Sequence, residues 1–156
     1  MSDESPRAVP SVAIEKLVTE VPGLDQVLGG GLPEYSFNLI AGAPGSGKTT
    51  LAHQILFANA SAERPALYFT VLGEPPLKML RYLQQMTFFD PSMVDDAIHY
   101  VNLSQEVLES DLNAVMDTIT REVVRVDPRL VVVDSFRTVV RRSVTFEAGE
   151  LELQNF

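Results

Sequence analysis

The run Gly42-Ala43-Pro44-Gly45-Ser46-Gly47-Lys48-Thr49 constrains this chain more than any other stretch. Its glycines let the backbone curl so that successive N–H groups point inward at an anion. A helix beginning at the end of the loop adds the positive end of its dipole. The apolar run Phe37-Asn38-Leu39-Ile40-Ala41 precedes the loop, and the helix-like stretch Thr50-Leu51-Ala52-His53-Gln54-Ile55-Leu56 follows it. That strand–loop–helix order is the context a phosphate-binding loop requires. Within it, Gly42 to Thr50 form the cradle, Lys48 reaches the β- and γ-phosphates, and the Thr49 hydroxyl ligates Mg²⁺. The pattern predicts binding of a nucleoside triphosphate.

From the loop onward, strands and helices alternate. The expected first strand spans Ser36–Ala41 and the first helix Gly47–Ala60. Ala66–Val71 reads as a buried strand, Leu77–Met86 as a helix and Ile98–Leu103 as a short strand. Ser110 is a candidate cap for a helix with Asp111 in its first turn. The apolar stripe of that helix is Leu112, Val115, Met116, Ile119 and Val123. Asp127-Pro128 stops it, and Leu130-Val131-Val132-Val133 is a continuous apolar strand of the kind covered on both faces in a parallel sheet. Upstream, Ile14–Val21 is a candidate leading strand and Pro22 to Leu28 a brief helical turn that Gly29-Gly30-Gly31 ends. The class is α/β with a mainly parallel sheet flanked by helices. The polar start reads as a disordered tail over residues 1–12, and residues 13–156 as one domain.

Asp134 ends the Leu130–Val133 strand, so its carboxylate falls at the carboxyl edge of the sheet, where open α/β sheets bind ligands. There it can hold the Mg²⁺ shell beside the phosphates. The bland alternative is a strand-end aspartate capping the next element. Glu74 lies just past the Ala66–Val71 strand and reaches the same crevice edge. It reads either as a base polarising the water that attacks the γ-phosphate or as a glutamate in a Pro-rich turn.

The chain has no cysteine, which excludes disulfides, thiolate metal sites and a cysteine nucleophile. His53 and His99 have no ligand spacing, and His53 inside the first helix reads as structural or exposed. The formal charge of −9 argues against a broad nucleic-acid surface. Six of the 12 basic residues nevertheless lie between Arg121 and Arg142. Arg121, Arg125 and Arg129 follow helical spacing, while Arg137, Arg141 and Arg142 are candidates for a solvated or subunit-facing surface. No signal sequence or membrane-spanning run is legible, so the expected location is cytoplasmic, without membrane contact.

Together, Val21-Pro22-Gly23-Leu24-Asp25, Gly29-Gly30-Gly31-Leu32-Pro33, the phosphate loop, Glu74-Pro75-Pro76 and Val133-Asp134-Ser135 resemble the KaiC-like branch of the RecA-type ATPases. The resemblance runs from about Glu20 to the C-terminus. It implies a RecA-like core, ATP with Mg²⁺ as cofactors, and homo-oligomeric ring assembly. Slow ATP hydrolysis or autophosphorylation would serve signalling, with a signalling protein as partner. It also implies phosphate and Mg²⁺ roles for Lys48 and Thr49, a metal role for Asp134, a catalytic role for Glu74 and an adenine contact for Arg81.

Two departures stand out. The family carries paired glutamates after the second strand, and here Gly73 takes the first place. RecA-like cores also insert a later strand between the phosphate-loop strand and the Asp134 strand, and no candidate for it follows Asp134. The expectation is therefore the N-terminal portion of a larger ATPase core, with exposed sheet edges. The alternative functions are a recombinase-like DNA-dependent ATPase and a nucleotide-binding fragment that does not hydrolyse ATP.

Overall fold

In the computed structural model of the 156-residue chain, residues 14–70, 76–103 and 112–135 are described. A parallel sheet of three strands organises the fold, in the order β4 (Ile98–Asn102), β3 (Ala66–Thr70), β5 (Leu130–Asp134). Tyr68 pairs with Tyr100 on one side and Val132 on the other, and Thr70 pairs with Asn102 and Asp134. All five residues of β3 are buried, as its run of aromatic and branched side chains requires at the centre of a covered sheet.

Alternation along β3 assigns the two faces. Leu67 and Phe69 pack with Leu103 and with Val115, Ile119, Val123 and Val126 of helix α4 (Leu112–Val126). Ala66 and Tyr68 face the other way, against Leu56 and Phe57 of helix α2 (Lys48–Asn59). Phe88, Phe89 and Met93, which follow helix α3 (Pro76–Leu83), extend this second layer. The result is helix, sheet, helix, as the alternating pattern implied.

The lead-in forms a small unit of its own. β1 (Lys16–Leu17) pairs antiparallel with β2 (Leu32–Pro33) around helix α1 (Leu24–Val27). Gly31 sits at φ 125°, and a Cβ there would run into the Leu17 carbonyl, so glycine is needed where the two strands close. Lys16 Nζ donates to the Leu28 and Gly29 carbonyls at 2.8 and 2.7 Å, satisfying the C-terminal end of α1. The Asp25 carboxylate accepts from the Thr19 backbone N–H and hydroxyl at 2.9 and 2.8 Å. An ion pair between Arg129 and Glu34 at 2.6 Å ties this unit to the start of β5.

Four expectations are corrected. Phe37–Ala41 is not a strand: among the described residues it joins no ladder, and Phe37 and Leu39 are 86% and 76% exposed. No described strand lies beside it, and backbone groups without a ladder partner stay with water. The leading strand is two residues long rather than Ile14–Val21. Met116 is exposed, because the buried face of α4 runs through Val115, Thr118 and Ile119. Arg129 lies beyond the end of α4 and pairs across to Glu34 rather than continuing a helical row. The tail over residues 1–12, Gly73, Glu74, Ser110, Asp111, Arg137, Arg141 and Arg142 lie outside the described residues.

Candidate functional site

The phosphate loop crosses from Ala41 into α2 at the sheet edge where β5 ends. Gly47, at φ 86°, is the residue before the first helical turn, a left-handed conformation that other residues adopt at a cost. No side chain caps the helix and its first turn carries no acidic residue, so its leading N–H groups are open to an anion. Residues 41–47 are exposed. Lys48 Nζ donates to the Gly42 and Ala43 carbonyls at 3.0 and 2.8 Å, drawing the ammonium back over the loop that its chain spans.

Thr49, in the first turn of α2, meets Asp134 at the tip of β5. Its hydroxyl donates to Oδ2 at 2.6 Å. The same oxygen accepts the Tyr68 hydroxyl at 2.7 Å. The parallel register explains this convergence. Thr70 is Asp134's pairing partner, so Tyr68, two residues earlier, points to the same face of the sheet. Tyr68 is fully buried, and burial, reinforced by the Asp134 charge, pushes its phenol well above the ordinary tyrosine range. It therefore stays a donor.

His53 lies one helical turn beyond Thr49 and is also fully buried. Its Nδ1 sits 2.7 Å from the Thr49 carbonyl. A carbonyl only accepts, so Nδ1 carries the hydrogen. Burial holds the imidazole below its ordinary pKa despite that bond and the Asp134 charge, favouring the neutral ring. The ring lies 4.3 Å from that of Tyr68 and stacks on Tyr100 at 5.9 Å.

An oxygen pair of this kind suits Mg²⁺, a hard cation usually held by few protein oxygens together with substrate phosphates. No group of three or more His, Cys, Asp or Glu side chains with metal-binding geometry occurs among the described residues. Of the residues singled out in the sequence, Thr49 and Asp134 come together, while Lys48, beside Thr49 in α2, lays its ammonium on the Gly42 and Ala43 carbonyls. Thr50 continues the first turn of α2, and Arg81 is exposed in the last turn of α3. Tyr68 was missed. Its signal was a phenol hydroxyl in the middle of a buried strand, which needs a buried partner.

The family model for the KaiC ATPase matches residues 17–150. The chain belongs to the KaiC ATPase family. Its core is accordingly of the RecA-like P-loop ATPase type, with the parallel sheet seen here. A UPF0273 protein of Methanopyrus kandleri is 36% identical over 73 residues, 47% of this chain and 29% of its own length. One from Pyrococcus horikoshii is 27% identical over 138 residues, 80% of this chain and 56% of its own. A DNA repair protein RadA of Listeria monocytogenes is 32% identical over 137 residues, 88% of this chain and 26% of its own. This KaiC-family chain thus spans between 26% and 56% of the length of these three relatives. No helix among its described residues is long and apolar enough to cross a membrane.

Proposed function

We propose that this chain binds ATP with Mg²⁺ at the loop Gly42–Thr49, and that slow hydrolysis or autophosphorylation there is coupled to homo-oligomeric assembly and signalling. The observation that carries the reading is the 2.6 Å bond between Thr49 and Asp134 at the mouth of an uncapped helix. The loop N–H groups and the start of α2 take the phosphate oxygens. Lys48 exchanges the Gly42 and Ala43 carbonyls for the β- and γ-phosphates, a stronger, charge-assisted contact. Thr49 and Asp134 hold the metal, which when bound neutralises charge on the phosphates. Glu74 takes the proton of the attacking water, and Arg81 contacts the adenine.

Titration calorimetry with ATP, with and without Mg²⁺, tests the binding half of the reading. Wild type should bind more tightly with Mg²⁺, and Thr49→Ala should lose most of that gain while retaining metal-free binding. Equal affinity in all four measurements would refute it.

The RadA relative supports a second reading, a DNA-linked ATPase. The net charge of −9 weighs against it. DNA affinity measured at two salt concentrations separates the two: a steep fall with salt would favour the second.

A further inference from the structure

We propose that Tyr68 is a positioning residue for the magnesium end of the nucleotide site, its buried hydroxyl holding the Asp134 carboxylate while His53 anchors Thr49. The proposal rests on the reading of Thr49 and Asp134 as the metal-holding pair.

A threonine hydroxyl that offers its lone pairs to a cation must send its proton elsewhere. Asp134 Oδ2 receives it at 2.6 Å. That works only while the carboxylate keeps its orientation, and β5 ends at Asp134. Tyr68 supplies the constraint from the centre of the sheet. Its hydroxyl meets the same Oδ2 at 2.7 Å, so rotating the carboxylate breaks two hydrogen bonds to a charged acceptor at once. Tyr68 itself has little freedom. Its strand is paired on both sides, and its ring lies against His53 at 4.3 Å and Tyr100 at 5.5 Å. His53 in turn donates to the Thr49 carbonyl at 2.7 Å, so the same aromatic cluster fixes the other member of the pair. Outer partners of this kind tune metal sites by orienting the groups that ligate.

Tyr100 provides the control. Its ring belongs to the same stack, but its buried hydroxyl has no partner among the described residues. If the cluster served packing alone, Tyr68 and Tyr100 would respond alike to loss of their hydroxyls.

The experiment follows binding of a fluorescent ATP analogue to the 156-residue chain in EDTA and across a Mg²⁺ titration, with a melting curve for each variant. Tyr68→Phe should leave affinity in EDTA within about 2-fold of wild type, because the loop and Lys48 are untouched. The Mg²⁺ concentration for half-maximal enhancement should rise roughly 10-fold. Tyr100→Phe should move neither. A Tyr68→Phe curve that overlays wild type, or equal losses in EDTA and Mg²⁺, overturns the proposal while leaving the magnesium reading intact. A wild-type chain indifferent to Mg²⁺ overturns both. Should Tyr68→Phe fail to melt cooperatively, His53→Phe, which keeps a ring but removes the donor, decides by the same Mg²⁺ shift or its absence.

Discussion

The Thr49 hydroxyl and the Asp134 carboxylate stand 85 residues apart in sequence and 2.6 Å apart in space. Each is delivered by a rigid element, Thr49 by the first turn of α2 and Asp134 by the last residue of β5. Neither position depends on a long loop, so the pair is set before any ligand arrives. Preorganisation of this kind lowers the cost of binding whatever ligand a site takes.

Lys48→Ala removes the charge that would meet the phosphates. ATP affinity should fall at least ~10-fold, about 1.4 kcal/mol. The loop loses only a tether to the Gly42 and Ala43 carbonyls, so the melting temperature should hold. Unchanged affinity by calorimetry would show that the loop does not read phosphate through this lysine.

Glu74→Gln separates binding from chemistry. Glutamine keeps the size and polarity of the side chain but cannot accept the proton of a water. Turnover of ATP should drop by roughly 10²-fold while nucleotide affinity persists. Equal rates for variant and parent would transfer the role of base to another acid.

Glu34 and Arg129 form a shielded ion pair with side chains 13% and 27% exposed. It joins the lead-in unit to the sheet, so Glu34→Gln should cost about 1 kcal/mol and lower Tm by roughly 2–4 °C. Arg125, 61% exposed and paired with Glu122 within α4, should tolerate replacement by Ala within about 0.5 kcal/mol. Thermal melts of both variants at moderate salt rank the two pairs, and the reverse order would contradict the structural role given to Glu34.

Asp25 accepts the Thr19 N–H and hydroxyl, and these bonds, the backbone one first, hold its carboxyl below the ordinary aspartate range. A depressed carboxyl adds stability that is present above its unfolded value and is lost as pH falls through the folded one. The Tm gap between wild type and Asp25→Asn should therefore be widest near neutrality and close below about pH 4. A gap constant from pH 7 to pH 3 would mean the charge contributes nothing there.

By itself, the sequence determined the features that depend on local chemistry. The glycine-rich loop opening into α2 was legible from its residue types, and the places of Lys48 and Thr49 at the helix start follow from their offsets within it. Four apolar residues closed by an aspartate made the strand and the place of Asp134 at its tip legible, although Val131 is 38% exposed and the strand is not covered on both faces. The central strand Ala66–Thr70 was read almost to the residue, because its composition and the Pro65 before it act locally. Tertiary structure decided what depends on partners distant in the chain. Phe37–Ala41 has the composition of a strand, yet a strand exists only when another backbone completes its ladder, and among the described residues none does. The target of Tyr68 follows from the register between β3 and β5, since a slip of one residue would turn its hydroxyl to the opposite face. The pairing of Arg129 with Glu34 and the burial of His53 against Tyr68 likewise arise only once the sheet and α2 have packed, because contact across such separations is set by the assembled layers rather than by neighbours in sequence.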